Sequence, residues 1–253
     1  METKIILCGA CGKMGGTVLS LLSDDTEAEV VCGVDLFPRE IGVPVYKSFA
    51  DVKEQADVIV DFSSAENLRE RLEYANANGL GIVLASTGFS ADDLALIDEY
   101  AKSVAIFKTA NLSLGVNLMQ ALCKAAAQVL GDNFDVEIIE RHHNQKKDAP
   151  SGTALMLADT VNEAFENGKK YVNGREGIVG ARTKNEIGIH AVRGGTIVGE
   201  HEVMFAGEDE IISISHSARS KRVFAVGAIR AAKFLKGKTA GRYEMKDLLD
   251  QEN

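Results

Sequence analysis

The segment from Glu140 to Thr153 combines side chains that can transfer protons with side chains that can bind anions. Its sequence is Glu-Arg-His-His-Asn-Gln-Lys-Lys-Asp-Ala-Pro-Ser-Gly-Thr, and it holds two of the five histidines of the chain. Because imidazole titrates near neutral pH, one of these histidines could donate a proton. Lys146 or Lys147 would add a positive charge. A predicted helix start at Ser151–Thr153 would direct backbone amides at a carboxylate.

Two other interpretations of this segment stay open. A solvated, charged loop with histidines that cap a strand would have the same composition. A metal site could use His142, His143 and Asp148. Neighbouring residues of an extended backbone point in opposite directions, however, so the two histidines would not face one ion. We therefore expect a site for a small anion and no metal.

The second chemical feature is the glycine-rich sequence Gly-Ala-Cys-Gly-Lys-Met-Gly at positions 9–15. It follows the first predicted strand and opens the first predicted helix, where glycines allow a tight turn and a close approach to a pyrophosphate. Asp35 ends the next predicted strand, 20 positions after Gly15, where a carboxylate can accept hydrogen bonds from ribose hydroxyls. This combination predicts a nicotinamide dinucleotide site, and a tight turn without a ligand is the alternative.

The cofactor could be NADH or NADPH. The carboxylate of Asp35 would repel the 2′-phosphate of NADPH and therefore favours NADH. Lys13 and Arg39 are nearby cations that could partly compensate for that repulsion. The choice between the two cofactors stays open.

Short β-rich runs alternate with amphipathic helical patterns over residues 4–108. This alternation predicts an α/β fold with a Rossmann-like, doubly wound parallel sheet. Ser90 begins a predicted capping box, and Ser63 or Ser64 could cap the preceding helix. The predicted strands are Lys4–Cys8, Glu29–Val34, Asp57–Asp61, Gly79–Ala85 and Ala105–Lys108, and the predicted helices are Met14–Leu22, a run that ends at Ala77, and Leu94–Lys102.

The second part of the chain has the pattern of an α+β domain with a largely antiparallel sheet. A short polar turn at 207–210 joins two extended runs, which predicts that they pair antiparallel. We expect a dinucleotide-binding domain at 1–113, completed by 221–253, and a substrate-binding and oligomerisation domain at 114–220. The predicted strands are Phe134–Glu140, Gly188–Val192, Thr196–Phe205 and Glu210–His216, and the predicted helices are Gly115–Leu130, Ser151–Phe165 and Lys221–Leu235.

Composition and charge argue against several classes of protein. Lys plus Arg total 28 against 37 for Asp plus Glu, a net charge of −9, which disfavours phosphate-driven binding of nucleic acids. No apolar stretch reaches the roughly 18 residues of a membrane span. The four cysteines are too few for a disulfide framework, so we expect a cytoplasmic protein. Cys8 and Cys11 form a C-x-x-C, but no second pair exists to complete a zinc site.

The segment Glu140–Thr153 resembles the signature E-x-H-H-x-x-K-x-D-A-P-S-G-T of dihydrodipicolinate reductases, which belong to the lysine and diaminopimelate pathway. The similar blocks run from residue 5 to residue 249, so the resemblance covers nearly the whole chain. Further similar blocks are the glycine-rich loop, Asp61-Phe-Ser, Ser86-Thr-Gly-Phe89, Ala110-Asn-Leu-Ser113, Gly194–His201 and Gly241–Leu249.

The resemblance implies that 4-hydroxy-tetrahydrodipicolinate, a small dicarboxylate, is reduced to tetrahydrodipicolinate with a hydride from NADH or NADPH. His142 would be the proton donor and Lys146 a second acid or cation. The resemblance also implies a homotetramer with contacts through the sheet of the second domain. The substrate carboxylates would be bound by His143, Ser151, Gly152 and Thr153. Cofactor contacts would come from Gly9, Ala10, Cys11, Gly12, Lys13, Met14, Asp35, Ala85, Ser86, Thr87, Thr109, Ala110, Asn111 and Leu112.

Two competing functions stay open. One is another two-domain dehydrogenase, such as a semialdehyde dehydrogenase, which would need a cysteine nucleophile after the cofactor domain. The candidate, Cys123, lies in a helical apolar pattern and is predicted to be buried in the core. A non-catalytic nucleotide sensor could use the same fold, but it would have little reason to keep the histidines and lysines of 140–153 together. The apolar pattern around the cysteine comprises Leu118, Met119, Leu122, Ala126 and Val129.

Overall fold

The computed structural model of the chain describes residues 2–166 and 168–251. It divides into two compact units, the first formed by Met1–Ser113 with Arg222–Asn253 and the second by Leu114–Lys221. The functional role predicted for each domain stays a prediction. Along the chain, the strands and helices are β1 (Thr3–Cys8), α1 (Lys13–Leu22), β2 (Ala28–Val34), β3 (Val45–Tyr46), β4 (Val58–Asp61), α2 (Leu68–Asn78), β5 (Gly81–Leu84), α3 (Ala91–Tyr100), β6 (Ala105–Lys108), α4 (Leu114–Leu130), β7 (Asp135–His142), α5 (Gly152–Glu163), β8 (Lys170–Asn173), β9 (Glu186–Arg193), β10 (Gly199–Ala206), β11 (Ile211–Ala218), α6 (Arg222–Leu235), β12 (Gly241–Tyr243) and α7 (Met245–Gln251).

The first unit has a seven-stranded sheet in which every neighbouring pair of strands is parallel. The strand order is β12-β6-β5-β4-β1-β2-β3, so the chain winds outward in both directions from β1, as in Rossmann-like folds. The predicted fold class is confirmed. Strands β4 and β5 are buried at every residue, as expected for a parallel sheet covered on both faces.

The helix starts of the first unit include one correct and one wrong prediction. The Ser90 side chain accepts a hydrogen bond from the Asp93 amide, and the Asp93 carboxylate accepts one from the Ser90 amide, which is the predicted capping box. Ser63 and Ser64 do not cap α2, which begins further along the chain. Ser63 instead donates its amide and its hydroxyl to Asp61 Oδ1, at 3.0 and 2.5 Å, and these bonds favour a loop over a helix start.

The second unit is an α+β structure with a five-stranded sheet in the order β11-β10-β7-β9-β8. The pair β11–β10 is antiparallel, which confirms the pairing predicted from the polar turn, and the pair β10–β7 is antiparallel as well. The pairs β7–β9 and β9–β8 are parallel, so the sheet is mixed. Helices α4 and α5 pack on one face of this sheet, where Ile138, Leu157, Val203 and Phe205 form part of a buried core.

Helix α4 shows where an apolar pattern overstates burial. Cys123 is fully buried, as predicted, but Leu118, Leu122 and Val129 are exposed. These three residues follow one another at helical spacing on the side of α4 opposite to its buried residues, so the apolar pattern around Cys123 extends beyond the buried face of the helix. Among the helices of the described ranges, none is both long enough and apolar enough to cross a bilayer.

Candidate active site

The glycine-rich loop of the first unit joins β1 to α1 with little space around its backbone. Gly9 has a φ of +70°, and a Cβ there would lie 2.9 Å from the Phe62 carbonyl oxygen. A Cβ on Gly15 would lie 2.3 Å from the Ala10 carbonyl oxygen. Gly12 precedes α1 without a capping side chain, and the first turn of α1 contains no acidic residue. No carboxylate of that first turn therefore competes with an anion for the positive end of the helix.

Asp35 directly follows β2 and organises the glycine-rich loop. Its Oδ2 accepts a hydrogen bond from the Cys11 amide at 3.0 Å, and its Oδ1 accepts one from the Phe37 amide at 3.0 Å. Arg39 donates a hydrogen bond to the Cys11 carbonyl oxygen. A cleft of about 270 Å³ opens beside Asp35, close to the lower end of the volumes of ligand pockets. Its lining includes Gly9, Asp35, Phe37, Ser63 and Arg71.

Asp61 is fully buried at the end of β4 and holds two loops at the carboxyl edge of the parallel sheet. Arg71 Nε lies 3.0 Å from Asp61 Oδ2. The same guanidinium donates to the Ser64 and Glu66 carbonyl oxygens, at 2.6 and 2.7 Å. The Ser86 hydroxyl, in the loop after β5, lies 3.4 Å from Asp61 Oδ2. This ion pair therefore connects the loops that follow β4 and β5.

The predicted cofactor residues all follow parallel strands: 9–12 in the loop after β1 with 13–14 at the start of α1, Asp35 after β2, 85–87 after β5, and 109–112 after β6. These strand ends share one edge of the sheet, the edge at which doubly wound folds bind ligands. In the loop after β6, the Asn111 side-chain oxygen accepts a hydrogen bond from the Ser113 amide at 2.8 Å. The contacts of these residues with a cofactor stay predictions.

In the second unit, β7 carries Glu140 and His142 on one face, because they are two positions apart on a strand. His142 Nδ1 lies 2.6 Å from Glu140 Oε2. Arg193 of β9 donates to both carboxylate oxygens at 2.7 Å, and the Ser151 amide donates to Oε1 at 2.9 Å. Burial acts to raise the pKa of Glu140, but the hydrogen bonds from Arg193, His142 and Ser151 hold that pKa below its usual value.

Ser151 caps α5 and uses its polar atoms within the protein. Its Oγ accepts a hydrogen bond from the Ala154 amide at 3.2 Å and lies 3.2 Å from His201 Nε2. Burial, followed by the charge of His142, lowers the pKa of His201 to about 4, so neutral His201 can accept the hydroxyl proton of Ser151. The Ser151 amide is bonded to Glu140. The amide and the hydroxyl of Ser151 therefore both have partners within the protein. The predicted contact of Ser151 with substrate has no further hydrogen-bond donor to support it and stays a prediction.

The other predicted substrate residues lie around the start of α5 and in the loop before it. His142 is buried, His143 and Lys146 are half-buried, and Lys147 is exposed. Lys146 Nζ lies 2.9 Å from Asp148 Oδ1, and that carboxylate is largely exposed. Gly152 and Thr153 are the first two residues of α5.

The glycine turn after β9 anchors the loop that carries these residues. The His142 carbonyl oxygen accepts a hydrogen bond from the Gly194 amide at 2.9 Å, and the Asn144 amide donates to the Gly195 carbonyl oxygen at 3.2 Å. Gly195 has a φ of +50°, a conformation that glycine adopts without strain. This turn belongs to the block 194–201, which resembles the family but has no role predicted from its sequence.

Three further residues of this site were not predicted. Arg193 binds Glu140, and the His201 ring packs edge-to-face on the His142 ring with centroids 5.2 Å apart. A Cβ on Gly199 would lie 3.1 Å from His142 Nε2. Gly199 and His201 lie within the predicted strand 196–205, and Arg193 lies just before it. Such residue types are unusual in a strand, where apolar and β-branched residues are common, and this departure could have indicated a site.

The cysteines of the chain are free thiols, and Cys8 and Cys123 are buried. Burial raises the pKa of the Cys8 thiol well above its usual value and that of Cys123 to about 12, so both are unreactive at neutral pH. Within residues 2–166 and 168–251, no group of three or more His, Cys, Asp and Glu side chains is arranged to hold a metal ion.

The chain is similar over nearly its whole length to proteins of known activity. Residues 3–112 match the family described as dihydrodipicolinate reductase, N-terminus, and residues 115–249 match dihydrodipicolinate reductase, C-terminus. The 4-hydroxy-tetrahydrodipicolinate reductase of Caldanaerobacter subterraneus subsp. tengcongensis is 49% identical over 249 residues, which are 98% of this chain and 99% of the relative. That of Clostridium novyi is 45% identical over 252 residues, covering 99% and 100% of the two chains. A dipicolinate-bound dihydrodipicolinate reductase from Paenisporosarcina sp. TG-14 has a TM-score of 0.80 and 25% identity, with 96% and 98% of the two chains covered.

Proposed function

The chain belongs to the dihydrodipicolinate reductase family, and we propose that it reduces 4-hydroxy-tetrahydrodipicolinate to tetrahydrodipicolinate in diaminopimelate and lysine biosynthesis. In the net reaction the ring loses one water and gains one hydride and one proton. The observation that carries the proposal is the buried network of Glu140, His142 and Arg193 beside the start of α5, in a chain that matches the family from end to end.

His142 is suited to deliver the proton. Its Nδ1 is engaged by Glu140, so Nε2 is the nitrogen that can give a proton to the ring. Lys146 supplies a second positive charge close to His142 in the sequence. Because its partner Asp148 is largely exposed, exchanging that surface ion pair for a substrate carboxylate costs little free energy.

The substrate carboxylates fit the start of α5. The amides of Gly152 and Thr153 lie at the positive end of the helix, and the first turn of α5 contains no acidic residue, so carboxylates are attracted there. His143, half-buried in the preceding loop, offers a further donor. Dipicolinate, the molecule named as bound in the Paenisporosarcina relative, is a dicarboxylate of the class that we propose.

The first unit fits a nicotinamide dinucleotide, which supplies the hydride when bound. The uncapped start of α1 suits the pyrophosphate, and the cleft beside Asp35 suits the adenosine end. We propose NADH as the preferred cofactor. The Asp35 carboxylate repels a 2′-phosphate, and Arg39, one of the two cations that could compensate for that repulsion, already donates to the Cys11 carbonyl oxygen.

The alternative of a semialdehyde dehydrogenase lacks a usable nucleophile. Cys123 is fully buried in α4, and burial raises the pKa of its thiol to about 12. A thiol of this kind is not ionised at neutral pH and cannot attack a carbonyl group. The other cysteines all precede residue 113. The reductase therefore remains the function that the site supports best.

We also propose that the protein works as a homotetramer in the cytoplasm. Helices cover one face of the sheet in the second unit, whereas the opposite face carries residues such as Glu137, Arg141 and Met204. A second copy could cover that face. Light scattering should then give about four times the 27.2 kDa of one chain, and a mass of one chain would contradict the proposal.

A coupled assay tests the activity. The condensation product of pyruvate and aspartate semialdehyde is supplied as substrate, and the absorbance of NADH or NADPH is followed. We expect the loss of absorbance to depend on both the protein and the condensation product, with a higher kcat/KM for NADH. An absence of turnover with either cofactor would overturn the proposed function.

A further inference from the structure

A carboxylate with no exposed surface lies at the centre of the polar site of the second unit. Glu140 is 0% exposed and has two partners at each oxygen. Oε1 accepts hydrogen bonds from the Ser151 amide at 2.9 Å and from Arg193 Nη2 at 2.7 Å. Oε2 accepts one from Arg193 Nη1 at 2.7 Å and lies 2.6 Å from His142 Nδ1. These partners use the lone pairs of the carboxylate, so any effect of Glu140 on the reaction passes through them.

The bond to His142 selects one nitrogen of the imidazole. An ionised carboxylate only accepts hydrogen bonds, so Nδ1 must carry a hydrogen in both the neutral and the charged ring. The proton that His142 gives up and regains is then the one on Nε2. Glu140 thereby fixes both the orientation of the ring and the atom that donates.

Arg193 allows this arrangement to persist when His142 loses its proton. Its guanidinium binds both oxygens of Glu140 and balances the buried negative charge with a permanent positive one. The carboxylate therefore stays paired and ionised while the imidazole changes charge. A proton donor that must return to its starting state in each turnover needs such a fixed partner.

The bond to Ser151 ties the start of α5 to the same carboxylate. The Ser151 amide donates to Glu140, and the Ser151 hydroxyl caps the helix at the Ala154 amide. Because the carboxylate-binding amides follow immediately in the chain, a displaced Glu140 would move them as well. One buried side chain thus sets the position of both the proton donor and the anion-binding helix start.

We infer that Glu140 is a positioning residue of the reductase, which holds His142 Nε2 as the proton-donating atom and the start of α5 as the carboxylate-binding group. This inference rests on the proposed function. It predicts that a change at Glu140 lowers kcat through His142, in addition to any loss of stability.

Glu137 provides a matched control on the same strand. Its carboxylate lies 2.6 Å from His190 Nε2 and accepts hydrogen bonds from Arg175 and Arg182, so it has the same kinds of partner as Glu140. It lies three positions from Glu140 and therefore faces the opposite side of the sheet. Replacing either glutamate by glutamine removes a buried negative charge that arginine and histidine side chains bind, so both changes should destabilise the fold.

The experiment compares the wild type with Glu140→Gln, Glu137→Gln, His142→Gln and the double variant Glu140→Gln/His142→Gln. We expect Glu140→Gln to lower kcat by about 10- to 100-fold, the range for residues that orient a functional histidine. The dissociation constant for NADH should stay unchanged, and Glu137→Gln should keep the wild-type kcat at unchanged oligomeric mass. The double variant should be no slower than His142→Gln, because residues that act as one unit are not additive. If Glu140→Gln does not fold, Glu140→Gln/Arg193→Met removes the unpaired cation and serves in its place.

The tautomer of His142 gives a second readout, which a purely structural role would not change. In the wild type, the long-range ¹⁵N–¹H spectrum should show neutral His142 with its hydrogen on Nδ1, and Glu140→Gln should mix the two tautomers. Full kcat in Glu140→Gln would overturn the inference, as would a double variant whose loss equals the product of the two separate losses. A neutral wild-type His142 with its hydrogen on Nε2 instead of Nδ1 would also overturn it. Failure of the wild type to reduce the substrate would overturn the proposed function instead.

Discussion

An alanine at Gly199 would press on the nitrogen of His142 that donates the proton. A Cβ at this position lies 3.1 Å from Nε2 and 3.5 Å from Cδ2, whereas unstrained contacts between such atoms lie at about 3.5–4.0 Å. The ring must therefore move by about 0.4 Å or more to restore an ordinary contact. It cannot simply swing away, because Nδ1 is held 2.6 Å from Glu140.

The size of this displacement sets the expected cost. A misplacement of about 1 Å can lower the rate about 100-fold, so a shift of about half that size should lower kcat by about ten-fold. The added methyl group should also destabilise the fold by about 1 kcal/mol, the low end of the cost of overpacking. The affinity for NADH should not change, because Gly199 lies in the second unit and the predicted cofactor residues lie in the first.

Steady-state kinetics and urea unfolding of Gly199→Ala measure these two effects separately. The same substitution in a His142→Gln background supplies the control, since it should cost nothing further in kcat once the imidazole is gone. A stable Gly199→Ala protein with wild-type kcat would refute this account of the Nε2 atom. A ten-fold loss that persists in the His142→Gln background would show that Gly199 matters for another reason.

Two further predictions concern the cofactor and the dependence of stability on pH. Replacing Asp35 by serine should raise the KM for NADH about ten-fold or more, since a hydrogen bond to a charged group contributes about 1.5–3 kcal/mol. The ratio of kcat/KM for NADH to kcat/KM for NADPH should fall. An unchanged KM for NADH would contradict this prediction. Burial lowers the pKa of His201 to about 4 from an ordinary value of 6.5. Between these two pH values the unfolded chain binds more protons than the folded one, so the free energy of unfolding decreases as the pH falls from 6.5 towards 4. Urea unfolding should show a loss of about 2 kcal/mol between about pH 7.5 and about pH 5, and His201→Gln should flatten that slope, whereas an equal slope in the variant would show that another group is responsible.

The sequence predicts those parts of the fold that local patterns determine. The parallel sheet and the strand Ala105–Lys108 follow from apolar runs between turns, and the capping box at Ser90 follows from residue types at fixed spacing. The short strands β3 and β12, of two and three residues, were missed. They lie at the two edges of the sheet, where pairing with a neighbour, and not an apolar pattern, defines a strand.

The site divides in the same way between local and distant determinants. His142, Lys146 and the helix start at Gly152 lie within one short segment, so their types and spacing were enough to predict them. Arg193 lies on β9 and His201 on β10, and both strands pair with β7, which is far from them along the chain. Only the sheet register brings these two residues beside His142. The burial of Glu140 and its bonding pattern depend on that register as well, which is why no role could be predicted for it.

The central claim is that His142, in the second unit, delivers the proton in a reductase whose predicted cofactor-binding residues belong to the first unit. The most direct test is the kcat of His142→Gln with the condensation product and NADH, measured together with the dissociation constant for NADH. We predict a loss of about 100- to 10,000-fold in kcat, the contribution of a general acid, with the dissociation constant unchanged. A His142→Gln protein that turns over at the wild-type rate would contradict the account.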